Sequence, residues 1–232
     1  EVFTPSWVCN HQNNLIDNKW FDEENVFNIE KEESWKSVSN KIEFKEKRWQ
    51  DYILDLRIEI TCGEAPYIVS RYDTVSGNYI PINERIGVLD RKLRVINENA
   101  SDKKDWINWA IKAYKSTYGY EWQGDNLLIA RLNLLYTFIE YYEANFKKVP
   151  DLELINQIAE IISWNFWQMD GLKGVVPNSC SDEKVIGYNL FGEEELACCD
   201  GCKNQNIKTH NGIYSLIKDW KEDKIIKFID LI

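Results

Sequence analysis

Cysteine and histidine residues cluster near the end of the chain at a spacing typical of metal sites. Cys199 and Cys202 are two residues apart, as in a metal-binding knuckle. Seven residues separate Cys202 from His210, and eighteen separate Cys180 from Cys199. Thiolate sulfur and imidazole nitrogen are ligands that zinc prefers. These four residues therefore predict a tetrahedral Cys₃His zinc site.

Two alternatives to this site stay open. Cys198 competes with Cys199 for the ligand position. The cysteines also fit buried free thiols, with His210 at the surface. Beyond the cluster, residues 214–217 and 225–229 are β-rich and flank a polar turn, which predicts a hairpin. Residues 179–232 together predict a small zinc-ribbon-like β appendage.

Net charge argues against independent binding to nucleic acid. The chain has 28 basic and 38 acidic residues, a formal charge of −10, which repels a phosphate backbone. One cluster of basic residues stands out in this acidic chain. We interpret it as a solvent-exposed face rather than as a stripe that binds phosphate. Its members are Arg85, Arg91, Lys92 and Arg94, flanked by Glu84 and Asp90.

Chain length and hydropathy bound the class of protein. The 232 residues suffice for one sizeable domain with a small appendage. No apolar run approaches the roughly 20 residues that cross a bilayer, and no secretory leader is visible. The crowded cysteines fit metal better than a disulfide framework. We therefore expect no membrane partner and a reducing, cytoplasmic compartment.

Apolar periodicity predicts strands alternating with helices over residues 51–178. Strands are expected over 51–60 and 118–122, with a strand and turn within 164–178. Helices are expected from Ser101 to Gly119, from 127 towards Pro150, and over 152–162. Residues 72–97 are expected to form an irregular excursion. The alternation predicts an α/β fold with a parallel, Rossmann-like sheet.

The first fifty residues show little periodicity. They are therefore predicted to form an irregular segment on the surface. Its expected anchors are large aromatic side chains: Trp7, Trp20, Phe21, Trp35 and Trp49.

Residues 59–67, Glu-Ile-Thr-Cys-Gly-Glu-Ala-Pro-Tyr, resemble the first cofactor motif of the γ-class N6-adenine DNA methyltransferases of restriction-modification systems. A strand that ends in small residues lets backbone N–H groups approach a cofactor. The resemblance implies binding of the methionine part of S-adenosylmethionine by this segment. The residues it assigns are Glu59, Thr61, Cys62, Gly63, Glu64 and Ala65.

Three further segments extend the resemblance in the family's order. Phe3-Thr4-Pro5 is similar to an element that lines the cofactor's carboxylate end, and it implies contacts from Phe3, Thr4 and Pro5. Residues 118–122, followed by Ala-Arg-Leu-Asn-Leu-Leu at 130–135, are similar to the element whose acidic residue binds the ribose hydroxyls.

That likeness gives the ribose role to Glu121, whose two carboxylate oxygens match two adjacent donors, with Trp122 beside it. Residues 168–172 resemble the element whose Asp binds the cofactor's adenine, here Asp170. The alternatives are a surface glutamate for Glu121 and a purely conformational Asp-Gly turn for Asp170.

The chain departs from the family at the catalytic motif. That motif, Asn/Asp-Pro-Pro-Tyr/Phe, holds the flipped adenine, but no two of the five prolines here are adjacent. Ile60 stands where proline is usual, Ala65 occupies the second glycine position, and the target-recognition region is missing. No catalytic residue is therefore assigned.

The sequence thus favours an S-adenosylmethionine-binding subunit that needs a partner protein for catalysis and reaches DNA through the complex. One alternative is a catalytically inactive scaffold in a restriction or defence complex, and another is a truncated remnant. In domain terms, residues 1–50 form the N-terminal segment, 51–178 the cofactor-binding domain and 179–232 the appendage.

Overall fold

The computed structural model describes residues 4–181 and 183–232. In chain order its elements are α1 (Ser6–Phe21), β1 (Asn28–Lys31), β2 (Ser34–Ser37), α2 (Trp49–Leu54), β3 (Arg57–Ile60), a 3₁₀ turn (Ile82–Glu84), α3 (Val88–Asn99), α4 (Lys103–Lys115), β4 (Thr117–Glu121), α5 (Gly124–Phe146), α6 (Leu152–Asn165), β5 (Phe166–Gln168), β6 (Glu183–Tyr188), β7 (Glu194–Cys198), α7 (Asp200–Asn204), a 3₁₀ turn (Ile207–Thr209), β8 (Leu216–Asp219), β9 (Lys224–Lys227) and a 3₁₀ turn (Phe228–Leu231).

A three-stranded parallel sheet organises the first two thirds of the molecule. Its order is β3-β4-β5, with Ile58 opposite Tyr118 and Tyr120 opposite Trp167. Helices α3 and α4 connect β3 to β4, and α5 and α6 connect β4 to β5. The predictions of an α/β fold and a parallel sheet are confirmed.

The main core lies between this sheet and the helices. Phe138 of α5 is fully buried and packs against the rings of Trp106 and Tyr114, with ring centroids 5.9 Å away in each case. The Tyr114 hydroxyl donates to the carbonyl of Leu134, so its one polar group is satisfied inside the core. Such packing fixes α4 relative to α5.

The prediction that residues 1–50 are irregular is wrong for α1. This helix buries amides and a carboxylate where other helices bury apolar side chains, so hydrophobic periodicity could not detect it. Asn13 Nδ2 donates to the carbonyls of Tyr67 and Ile86 at 2.9 and 3.0 Å. Asp17 pairs with Arg91 at 2.6 Å. A polar interface thus joins α1 to the domain.

The basic group is also not a solvated face. Arg85, Arg91 and Lys92 are buried, and residues 88–99 of the expected excursion form α3. Arg91 donates to Asn10, Asn14 and Asp17 of α1 at 2.6–3.0 Å. A phosphate-binding role is equally excluded because these groups are held inside the protein.

Two local predictions change as well. Residues 51–54 belong to α2, so the strand begins only at Arg57. Gly119 lies inside β4 and does not end a helix. A Cβ atom at Gly119 would lie 2.7 Å from the Phe166 ring, so only glycine allows β4 and β5 to pack as they do.

The C-terminal residues form two antiparallel hairpins. The predicted tail hairpin is confirmed as β8–β9, and β6–β7 precedes it. The β8–β9 hairpin does not stand apart from the domain, because Ile217 packs with Tyr120, Trp167 and Met169 on one face of the sheet. Among the described residues, no helix combines the length and apolar character needed to cross a membrane.

Candidate functional site

A small polar cavity, the strand-end pocket, lies where β3 and β4 end. It encloses about 180 Å³. Its lining comprises Thr4, Glu59, Thr61, Cys62, Gly63, Glu64, Pro66, Tyr67, Thr74, Glu121 and Asn126. Parallel strands carry their ligand sites at their carboxyl ends. Seven of the twelve residues predicted to bind cofactor line this cavity, which thus lies where the rule places a ligand.

Glu121 links the two strand ends through backbone groups. Its Oε2 accepts the N–H of Gly63 at 2.7 Å. Its Oε1 accepts the N–H groups of Trp122 and Gln123 at 2.9 and 3.0 Å. A carboxylate offers roughly four acceptor positions, so about one is left for a ligand, on Oε2.

The loop that follows β3 has an unusual backbone. Thr61, Gly63 and Ala65 adopt left-handed conformations with φ of 50°, 54° and 63°. Outside glycine, such conformations cost on the order of 1 kcal/mol or more and concentrate at ligand sites. The Ala65 N–H donates to the Cys62 carbonyl at 2.7 Å, which closes the turn.

Glu59 places a buried carboxyl group in the wall of the pocket. Its Oε2 has no hydrogen-bond partner among the described residues. Burial raises the pKa of Glu59 well above its usual range; the N–H groups of Tyr67 and Ile68 oppose this rise, and Glu121 adds to it. The Glu59 carboxyl group can therefore either keep its proton or pair with a cation.

Cys62 and Glu64 complete the predicted segment. Burial raises the pKa of the Cys62 thiol, with Glu59 and Glu121 acting in the same direction, so the thiol is neutral and packs as a small apolar group. Glu64 Oε2 accepts the Tyr72 hydroxyl at 2.6 Å. Glu64 therefore lines the pocket and also accepts a hydrogen bond from Tyr72.

Other predicted residues lie elsewhere. Pro5 precedes α1 as its N-cap, and Trp122 is exposed and does not line the pocket. Phe3 lies outside the described residues. Asp170 Oδ1 accepts the N–H groups of Leu172 and Lys173 at 3.0 and 3.2 Å. These bonds hold the turn at Asp170, and Asp170 does not line the pocket.

Sequence reasoning missed four lining residues, namely Pro66, Tyr67, Thr74 and Asn126. Asn126 had a detectable signal, because it lies in the first turn of the helix that follows β4, close to the strand's carboxyl end. Pro66 and Tyr67 end the segment that resembles the first cofactor motif, although no role was assigned to them. Thr74 lies in a loop without periodicity, so no pattern marked it.

The four predicted metal ligands form a compact group, the Cys₃His cluster. Cys180 Sγ lies 3.5 Å from Cys199 Sγ and 3.6 Å from Cys202 Sγ. His210 Nδ1 lies 3.4–3.6 Å from all three sulfurs. A tetrahedral zinc site with Zn–S bonds of about 2.3 Å places its sulfur ligands about 3.8 Å apart. The cluster could hold a metal ion.

Glycines and a backbone donor support this arrangement. A Cβ atom at Gly201 would lie 2.6 Å from His210 Nδ1, and one at Gly212 would lie 2.9 Å from the Cys180 backbone. The Asn211 N–H donates to Cys199 Sγ at 3.4 Å. Such outer contacts orient ligands and favour the thiolate.

The structure also separates the two adjacent cysteines. Cys199 is buried in the cluster, whereas Cys198 is exposed and outside it. Burial raises the pKa of Cys199, but N–H donors from Cys202 and Asn211, together with His210 and Cys180, lower it to about 6. Cys199 is therefore suited to be a thiolate ligand.

No family model, curated protein or solved structure matches the chain.

Proposed function

We propose that the chain is the S-adenosylmethionine-binding subunit of a DNA adenine methyltransferase in a restriction-modification system. One observation carries the proposal: segments that resemble separate cofactor motifs, around Thr4, Cys62 and Glu121, meet in one pocket at the strand ends. These positions are 117 residues apart at their extremes, so local sequence alone does not bring them together.

The order of the sheet supports this proposal. Three adjacent parallel strands with helical connections are the layout of one half of a Rossmann-like doubly wound sheet. In such sheets the ligand lies across the carboxyl ends of the strands. A Rossmann-like methyltransferase domain is therefore the fold that we propose for residues 51–178.

The charge of the pocket fits a cationic ligand. Glu59, Glu64 and Glu121 all line it. S-adenosylmethionine carries a sulfonium and an ammonium group, which carboxylates attract at short range. About 180 Å³ is less than the roughly 300 Å³ at the lower end of small-molecule sites, so the pocket would hold only part of the cofactor. The remainder would lie at its mouth.

Catalysis and target recognition are assigned to a partner protein. The chain contains no pair of adjacent prolines that could cradle a flipped adenine. With a net charge of −10, the chain would meet DNA through the complex.

Calorimetric titration tests cofactor binding. We expect heat with S-adenosylmethionine and with its demethylated product, and binding at least tenfold weaker in Glu121→Gln. Glu195→Gln is the matched control and should bind as the original protein does, because Glu195 is an exposed residue of β7 outside the pocket. The absence of heat at about millimolar ligand would contradict the proposal.

The second candidate is a catalytically inactive scaffold with a methyltransferase-like fold. It is favoured by Glu121, whose carboxylate already accepts three backbone N–H groups. If the chain is such a scaffold, Glu121 only stabilises the loop that follows β3, and no methyl donor binds. Cofactor heat in the titration would eliminate it, and transfer of labelled methyl groups to DNA by the complex would do so independently.

We infer that the metal of the Cys₃His cluster is zinc. Three thiolates and one imidazole suit this ion, and four protein ligands leave no open position, so the site is structural. Elemental analysis after gentle purification should give about one zinc per chain. Less than about a third of an equivalent would contradict the inference.

A further inference from the structure

The three carboxyl groups of the strand-end pocket are not equivalent. Glu121 already accepts three backbone N–H groups, which leaves it little capacity for a ligand. Burial raises the pKa of Glu59, which disfavours its charged form. Glu64 is only half-buried, and in the described part of the chain its Oε1 accepts no hydrogen bond. Glu64 is therefore the carboxylate best placed to meet a charged ligand.

A chain of hydrogen bonds, the Glu64 relay, holds the other oxygen of this carboxylate. Glu64 Oε2 accepts the Tyr72 hydroxyl at 2.6 Å. That hydroxyl in turn accepts Asn133 Nδ2 at 3.0 Å. Because an amide nitrogen can only donate, the single hydroxyl proton of Tyr72 goes to Glu64. The direction of the relay is thus fixed, and the relay ends at a wall of the pocket.

Asn133, a buried residue of α5, is the centre of the relay. Its Nδ2 also donates to the Glu64 carbonyl at 3.2 Å, and its Oδ1 accepts Arg71 Nη1 at 3.3 Å. A carbonyl only accepts and a guanidinium only donates, so these two partners fix the orientation of the amide. Arg71 is itself paired with Glu140 of α5 at 2.5 Å. The relay is therefore anchored on a helix as well as on the loop that follows β3.

The polarity of the relay suits a negative charge at its end. Each of its hydrogen bonds donates towards Glu64, from Arg71 through Asn133 and Tyr72, and bonds aligned in this way polarise one another. A side chain that is already held in place loses little conformational entropy when a ligand binds. The carboxylate of Glu64 is thus preorganised, with one oxygen bound by the relay and the other left for a ligand.

We propose that Glu64 is the residue of the strand-end pocket that recognises a cationic group of the ligand, and that Tyr72 and Asn133 are positioning residues for its carboxylate. The identity of the ligand rests on the proposed function, since S-adenosylmethionine carries a sulfonium and an ammonium group. Recognition itself requires only a positive charge close to Glu64 Oε1.

Ligands that differ in charge test the role of Glu64. S-adenosylmethionine carries both cationic groups, its demethylated product carries only the ammonium group, and 5′-methylthioadenosine carries neither. Glu64→Gln removes the charge but keeps the shape of the side chain and an oxygen that can accept from Tyr72. In calorimetric titrations it should weaken the binding of S-adenosylmethionine at least tenfold and that of 5′-methylthioadenosine less than twofold. An equal loss for the product would identify the ammonium group as the partner of Glu64, and a smaller loss would identify the sulfonium.

Two tyrosine variants test the positioning. Tyr72→Phe removes the hydrogen bond to Glu64 and should weaken the binding of S-adenosylmethionine at least threefold, with less than a twofold change for 5′-methylthioadenosine. Tyr79→Phe removes another hydroxyl of the same loop, which accepts from Arg85, and should affect neither ligand. If the relay only supports the loop, Glu64→Gln and Tyr72→Phe will weaken both ligands equally, and that result would overturn the proposal.

S-methylmethionine, which has both cationic groups but no nucleoside, separates this proposal from the proposed function. The nucleoside ligands could fail to bind while S-methylmethionine binds at about millimolar concentration and loses at least tenfold in affinity in Glu64→Gln. Cation recognition would then stand, and the proposed function would fail. If no cationic probe binds, or if Glu64→Gln changes the affinity for none of them, the proposal is overturned.

Discussion

The strand-end pocket and the Cys₃His cluster differ in what holds their side chains in place. At the pocket, Glu121 accepts three backbone N–H groups, and its neighbours rest on a buried core. At the cluster, three cysteines and His210 approach one another closely, between short hairpins that bury little apolar surface. The pocket is thus built by the fold, whereas we propose that a bound ion organises the cluster and its surroundings.

This difference has an energetic consequence. Deprotonated sulfurs 3.5 Å apart repel one another unless a cation lies between them. Binding of a structural metal is then coupled to local folding. The pocket needs no such ion, because burial in the main core stabilises it. The two regions should therefore respond independently to metal removal and to substitutions.

The largest effect is expected from Cys199→Ser. Loss of a buried thiolate ligand should reduce bound metal from about one equivalent to less than a third and disorder residues 180–212. Elemental analysis and hydrogen exchange measure both. Cys198→Ser is the matched control, because Cys198 is exposed and outside the cluster. Equal metal loss in the two variants would contradict the assignment of Cys199 as a metal ligand.

A smaller effect is expected from Glu121→Ala. The substitution leaves the N–H groups of Gly63, Trp122 and Gln123 without their acceptor, at a cost of about 2–4 kcal/mol in the free energy of unfolding. Glu64→Ala removes a single bond from Tyr72 and should cost about 1 kcal/mol. Denaturant unfolding measures both. Metal content should not change, and a fall would show that the two regions are coupled.

The smallest effect is expected in how the free energy of unfolding depends on pH through the buried Lys92. Burial, with Arg57 nearby, lowers the pKa of Lys92 from 10.5 to about 7. Below pH 7 both folded and unfolded chains bind this proton, whereas between pH 7 and 10.5 only the unfolded chain does. The folded state therefore gains stability as the pH rises through this window.

Compared with Lys92→Met, the original protein should gain about 2 kcal/mol between pH 7 and 9. Denaturant unfolding at the two pH values measures the difference. Parallel curves for the two proteins would show that Lys92 has an ordinary pKa. The cluster should respond in the same sense, since protons compete with metal for thiolates at low pH.

Sequence patterns predicted the elements whose buried faces are apolar. Helices α5 and α6 and the β8–β9 hairpin were found because residues such as Leu134, Ile158 and Ile217 recur at the period of their element. Helix α1 was missed because it buries Asn10, Asn14 and Asp17. Helix α3 does bury apolar side chains such as Leu89, Leu93 and Ile96, but the glycines and the proline just before it favoured an irregular excursion. Hydrophobic periodicity carries no signal where polar side chains satisfy one another.

The two sites were predictable to different degrees. The Cys₃His cluster follows from residue type, since few arrangements of these ligands are compatible with metal. The pocket depended on motifs, which brought Thr4, Cys62 and Glu121 together, whereas Asp170 lies outside the pocket in a turn that it holds itself. An Asp-Gly turn forms for conformational reasons alone, so its sequence cannot distinguish the two roles.

Hydrogen exchange with and without metal tests the independence of the two regions most directly. After removal of metal by a chelator, amides of residues 180–212 should lose protection, while those of β3, β4 and α5 keep theirs. Adding zinc back should restore the protection of the amides that lost it. Loss of protection in both regions, or in neither, would contradict the claim that the fold builds the pocket and the metal builds the cluster.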